Sequence, residues 1–207
     1  MASDCCQSKA NDLALLKERQ SKVLWIVLAI NAFMFVVELN AGLRAQSLSL
    51  TGDSLDMLGD ALVYGTSLFV IYKSEKLQAG SAFLKGVIML ASSLAVFARV
   101  VYQLVAWQVP EVAIMGRIGL LALFSNLFCL LLLSSHKDDN INMKSVWLCS
   151  RNDIIANISV LIAALFVLAF RSPVPDLIVG SLLAVLFAKT ALSVLGDSWS
   201  AMRSNLS

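Results

Sequence analysis

Six runs of mostly apolar residues, at roughly 23–43, 55–72, 83–105, 113–134, 146–170 and 175–196, leave little of the 207-residue chain outside them. A helix needs about 20 such residues to cross the hydrocarbon of a bilayer, and each run comes close to that length. The chain is 58% hydrophobic and only 14% charged, which is far more apolar surface than a soluble core of this size needs. Lipid is therefore its expected solvent. The expected fold is all-α, a polytopic membrane protein with six transmembrane helices. Residues 1–22 form a cytoplasmic, amphipathic lead-in, 23–200 the six-helix transmembrane domain, and 201–207 a short cytoplasmic tail.

The first 22 residues are polar and charged and the first apolar run is long enough to span, so no secretory signal peptide is expected. Lys and Arg favour cytoplasmic loops. Lys9, Lys17, Arg19 and Lys22 precede the first run, Lys73, Lys76 and Lys85 flank the second connection, and Lys137, Lys144 and Arg151 surround the fourth. The opposite loops offer chiefly Arg44 and Arg171, which puts both termini in the cytoplasm of a multi-pass protein of the cell (inner) membrane. A net charge of +2 gives no reason to expect a nucleic-acid partner. Cys5, Cys6, Cys129 and Cys149 fall at cytoplasmic or intramembrane positions, where thiols are expected rather than structural disulfides.

The acids inside the apolar runs demand an explanation. Asp56 and Asp60 in the second run are four residues apart, hence on one helix face, and Asp53 lies three residues earlier on the same side. In the fifth run Cys149, Asp153 and Asn157 repeat that four-residue spacing. Each Asp near the centre of a bilayer costs about 2.5 to 3.5 kcal/mol on insertion scales, so Asp56, Asp60 and Asp153 together burden the fold by about 8 to 10 kcal/mol. If the two stripes face one another, three carboxylates and the Cys149 thiolate form a four-ligand oxygen and sulfur set suited to zinc. The thiolate favours zinc, cadmium or a similar ion over magnesium or calcium. Four deprotonated ligands exceed the charge of a divalent ion, and metal binding displaces protons from its ligands. Exchange of metal for protons is the expected cycle, with no bound cofactor.

These residues resemble the cation diffusion facilitator (cation efflux) family. Gly42-Leu43 through Ser47-Leu48-Ser49-Leu50 and Asp53-Ser54-Leu55-Asp56-Met57-Leu58-Gly59-Asp60 look like its signature from first to second span. Asp153 to Val160 with the following Leu-Ile-Ala-Ala looks like its fifth span, and Pro175-Asp176-Leu177-Ile178-Val179-Gly180 like its sixth. The resemblance implies six spans, export of divalent metals against protons, and usually a homodimer. It also implies that Asp56 and Asp60 supply half of the transport site. For the other half the family usually has His followed four residues later by Asp; aligned through Asn157 and Val160, this chain has Cys149 and Asp153 there. In the alternative register Asp153 and Asn157 complete a harder site, and manganese or iron becomes the expected metal. This chain looks like a short form lacking the family's C-terminal cytoplasmic domain, and one membrane site is expected.

Other residues have more ordinary readings. Asp53 is expected to cap the second helix, with Gly52 and Ser54 beside it, and is otherwise a supporting or alternative ligand of the site, as is Asn157. Asn157 is expected to support the ligands by hydrogen bonding, Cys129 to be packing, and His136 to belong to a solvated turn. Arg99 and Arg117 are expected to snorkel, and Glu38 is a candidate proton relay or interhelical partner. Two rivals of another class are an intramembrane aspartyl hydrolase, which uses paired membrane Asp residues, and a metal-binding sensor or scaffold that moves nothing.

Overall fold

A computed structural model describes residues 21–70, 75–134 and 141–204, with side chains for all of these but 21, 66, 67, 69, 70, 75, 76, 78, 141–152 and 204. Six helices account for nearly all of it: α1 Ser21–Arg44, α2 Leu48–Val70, α3 Glu75–Ala106, α4 Val112–Ser134, α5 Ile141–Phe170 and α6 Val174–Ser204. The lead-in with Cys5 and Cys6, the turn with His136 and the side chain of Cys149 lie outside the described residues. The helices alternate in direction, so the start of α1 and the end of α6 share one face of the bundle, called here the terminal face. The turns 45–47, 107–111 and 171–173 lie on the other, the far face.

Among the described residues, five helices hold stretches long and apolar enough to cross a membrane: Lys22–Arg44, Ala79–Ala106, Val112–Ser134, Asp153–Phe170 and Val174–Arg203. The exception is α2, because any 18-residue stretch within it includes Asp53, Asp56 and Asp60. It is accommodated by its neighbours, packing against α1, α3, α5 and α6. The burial pattern is the reverse of a soluble protein's. Phe33, Phe124 and Leu165 are about two thirds exposed, at 65%, 64% and 65%, while Glu38, Asp53 and Asn157 are wholly buried. Apolar side chains face the lipid and polar ones face each other, as a bilayer requires.

Close approach at the far face locks α2 in place. A Cβ on Gly42 would lie 2.6 Å from Thr51 Oγ1, and one on Gly180 would lie 2.4 Å from the Leu48 carbonyl carbon, so α1 and α6 each touch the α2 backbone. Small residues permit such contacts between helices in lipid, where packing and hydrogen bonding replace the hydrophobic effect as the force for association.

The second helix starts earlier than its apolar run, at Leu48, and Asp53 lies inside it rather than capping it. The cap is Ser47, whose Oγ accepts from Leu50 N at 3.2 Å. Asp176 in the first turn of α6 reinforces it, accepting from Leu48 N at 2.6 Å, Ser49 N at 3.0 Å, Ser47 Oγ at 2.7 Å and Ser49 Oγ at 2.6 Å. An acid from a distant segment thus does the work expected of Asp53, and it releases the polar run 47–54 to be helical.

Arg99 also differs from the expectation of snorkelling. It donates to the carbonyls of Gly42 and Leu43 at 3.4 and 3.3 Å and to Gln46 Oε1 at 3.3 Å, closing the C-terminus of α1. Gln103 donates to the carbonyl of Gln46 beside it. Gln46, Trp107 and Arg171, the residues just past α1, α3 and α5, have φ of 54°, 46° and 49°, the left-handed turn that ends a helix sharply. Cys129 packs among Leu24, Val27, Val63, Tyr64 and Leu133, as expected of a filler.

Candidate functional site

Asp53 is fully buried, Asp60 nearly so and Asp56 half-buried along α2. On α5, Asp153 and Asn157 are buried one turn apart. The two helices meet where Asn157 Nδ2 donates to Asp53 Oδ2 at 2.7 Å. Asn126 of α4 donates in turn to Asn157 Oδ1 at 2.9 Å, so an amide relay joins three helices.

That relay fixes the level of every acid around it. The helices α2 and α5 run in opposite directions, so a step toward the terminal face moves forward along α2 and backward along α5. At a rise of 1.5 Å per residue, Asp56 and Asp60 lie about 4.5 and 10.5 Å below Asp53, and Asp153 lies about 6 Å below Asn157. Asp153 therefore falls between Asp56 and Asp60 in depth. Cys149 occupies the next turn of α5, about 12 Å below Asn157. Among the described residues no three His, Cys, Asp or Glu side chains meet closely enough to hold an ion by themselves.

Both polar groups of the Asn157 side chain are engaged, its Nδ2 with Asp53 and its Oδ1 with Asn126. Asn126 itself was not anticipated from the sequence. The signal was present, because it is the only amide side chain in α4, whose other polar residues are Arg117, Ser125 and Ser134. Replacing Asn157 with Ala would leave Asp53 with neither oxygen paired and Asn126 without its acceptor. The expected loss is about 1 to 3 kcal/mol in thermal unfolding in detergent. Asn126→Ala should add little on top of it, because both changes break one relay; full additivity of the two losses would show that the relay does not act as a unit.

The profile of the cation efflux transmembrane domain matches residues 24–202 of this chain. The chain belongs to the cation efflux family. Over 200 residues it is 25% identical to the zinc transporter ZitB of Yersinia pestis, covering 88% of this chain and 63% of that relative. The zinc transporter ZitB of Yersinia pseudotuberculosis serotype I matches to the same extent, 25% over 200 residues. A shorter match, 38% over 56 residues, is to a Geobacillus stearothermophilus protein described as an uncharacterized protein in the glgB 5′ region, with 27% of this chain and 52% of the relative aligned. The cation efflux chain thus spans 52% to 63% of the length of these relatives. Cation efflux proteins are transporters and not enzymes, which removes the aspartyl hydrolase reading. Membership also agrees with the multi-pass architecture.

Proposed function

We propose that this protein is a secondary transporter that exports a divalent metal ion, zinc by first choice and otherwise cadmium or cobalt, in exchange for protons. The observation that carries the reading is the Asp53–Asn157 bond, which brings the acid-bearing stretches of α2 and α5 to one depth inside the bundle. Asp56, Asp60, Asp153 and Cys149 would coordinate the ion. With its amide engaged on both sides, Asn157 suits a supporting role, which favours the register containing Cys149 and hence zinc over manganese or iron.

Clustered carboxylates in a low-dielectric interior hold protons when no metal is present, and a divalent ion displaces them. Alternating exposure of such a site to the two sides of the membrane couples metal movement to proton movement. The distribution of Lys and Arg supports a place in the cell (inner) membrane with both termini on the cytoplasmic side. The family resemblance supports a homodimer.

Metal-by-metal uptake into proteoliposomes under an imposed pH gradient tests this. Zinc should move with opposing proton flux, whereas binding without flux would leave only a sensor or scaffold. Cys149→Ser should reduce the preference for cadmium over manganese by about tenfold, since a hard hydroxyl replaces a soft thiolate. An unchanged preference would shift the assignment to the register with Asp153 and Asn157.

A further inference from the structure

Two buried acids toward the far face, Glu38 and Asp53, are not accounted for by the transport site. Glu38 of α1 is wholly buried, and neither of its carboxylate oxygens has a hydrogen-bond partner. Asp53 is also wholly buried; its Oδ2 is held by Asn157, while its Oδ1 has no partner. Three buried carboxylate oxygens are therefore left without a donor.

Backbone register brings these groups together. The contact of Gly42 with Thr51 sets α1 against α2. Counting from it toward the terminal face at about 1.5 Å per residue, Glu38 lies about 6 Å down, between Asp53 at about 3 Å and Asp56 at about 7.5 Å. Asp53 and Asp56 are the charged groups whose fields bear on Glu38, Asp53 the more strongly. Apolar clusters flank this layer, one of Ala41, Leu50 and Val160 and another of Met34, Met57 and Ala122. Asn126 of α4, a helix that also packs against α1, is engaged with Asn157.

Proteins seldom leave buried acids without donors or counter-charge, and acids inside a membrane mark ion pathways. The amide relay has a specific effect here. It occupies one oxygen of Asp53 and fixes the carboxylate, so the other oxygen is held unpaired about 3 Å from Glu38 in depth. We propose that Glu38 and Asp53 form a second cation position, distinct from the one that Asp56, Asp60, Asp153 and Cys149 would make. Its donors are carboxylate oxygens only, without sulfur or nitrogen. Such a pair suits a hard divalent cation of the manganese or magnesium type, which binds through one or two carboxylates and keeps water in its remaining positions.

The position needs Glu38 and Asp53 but neither Asp60 nor Cys149, so it stands apart from the transport reading. The test is Mn2+ binding to the full chain in nanodiscs of neutral phosphatidylcholine, by equilibrium dialysis and by the electron paramagnetic resonance signal of bound Mn2+. Wild type should bind one more Mn2+ than Glu38→Gln, and Asp53→Asn should lose the same ion. Asp60→Asn should keep it. Glu38→Gln and Asp53→Asn change little in shape, and the rise in unfolding temperature on adding Mn2+ should shrink in both. Equal Mn2+ number and affinity, within twofold, in wild type and Glu38→Gln would overturn the second position. So would loss of one and the same ion in Glu38→Gln and Asp60→Asn, since that describes a single site. If Asp60→Asn binds and transports like wild type, the transport assignment fails while the comparison of wild type with Glu38→Gln still decides this one.

Discussion

Proteoliposomes carrying Asp60→Asn are expected to show zinc-dependent proton flux no greater than protein-free vesicles, and Asp153→Asn the same. The reason lies in depth and burial. Asp60 and Asp153 are buried on antiparallel helices, and the relay through Asn157 puts them within about one helical turn of each other along the bundle. Asparagine keeps the size of the side chain but removes the charge that, in the proposed site, would balance a divalent ion. Asp197→Asn, on an exposed part of α6, is the control and should transport normally. Normal flux from Asp60→Asn, with wild-type protein in the same preparation active, would remove the α2 acids from the transport site.

Asp176→Ala is expected to lower stability more than any change at the acids of α2. Four donors converge on this carboxylate, two backbone N–H groups and two hydroxyls, and all are buried. Each buried donor left unpaired costs about 1 to 3 kcal/mol, and partial recovery among them brings the net to roughly 3 to 5 kcal/mol. For a chain of this size that is a drop of about 10 °C in unfolding temperature, read by thermal unfolding in detergent. Asp176→Asn, which still accepts through one oxygen, should recover part of the loss. A variant with wild-type stability would mean that water or another group caps α2 equally well.

Local patterning revealed much of this architecture. Apolar length gave six helices, five of which among the described residues hold stretches long and apolar enough to cross a membrane, and the spacing of Asp56, Asp60 and Asp153 placed acids on two helices that do pack together. Asn157 as a hydrogen-bonding support was legible from its place one turn beyond Asp153. The errors came where a contact joins distant segments. Asp53 reads as a cap because Gly52-Asp53-Ser54 has the right composition, yet the donors at the start of α2 turn to Asp176, 128 residues beyond Leu48. Arg99 reads as snorkelling because nothing in its own run shows that the end of α1 offers it carbonyls. Asn126 stands out as the one amide of α4, yet its role in a relay depends on Asn157, 31 residues further along the chain.

The clasp of Asp176 on α2 has a bearing on biogenesis. Translation produces α2 well before α6, so the amides of Leu48 and Ser49 wait without their carboxylate until Asp176 has been made. The most acidic helix, which is also the least able to partition into lipid alone, is thereby tied to a partner that emerges 128 residues after Leu48. Until then α2 has α1 beside it and its first turn is still open.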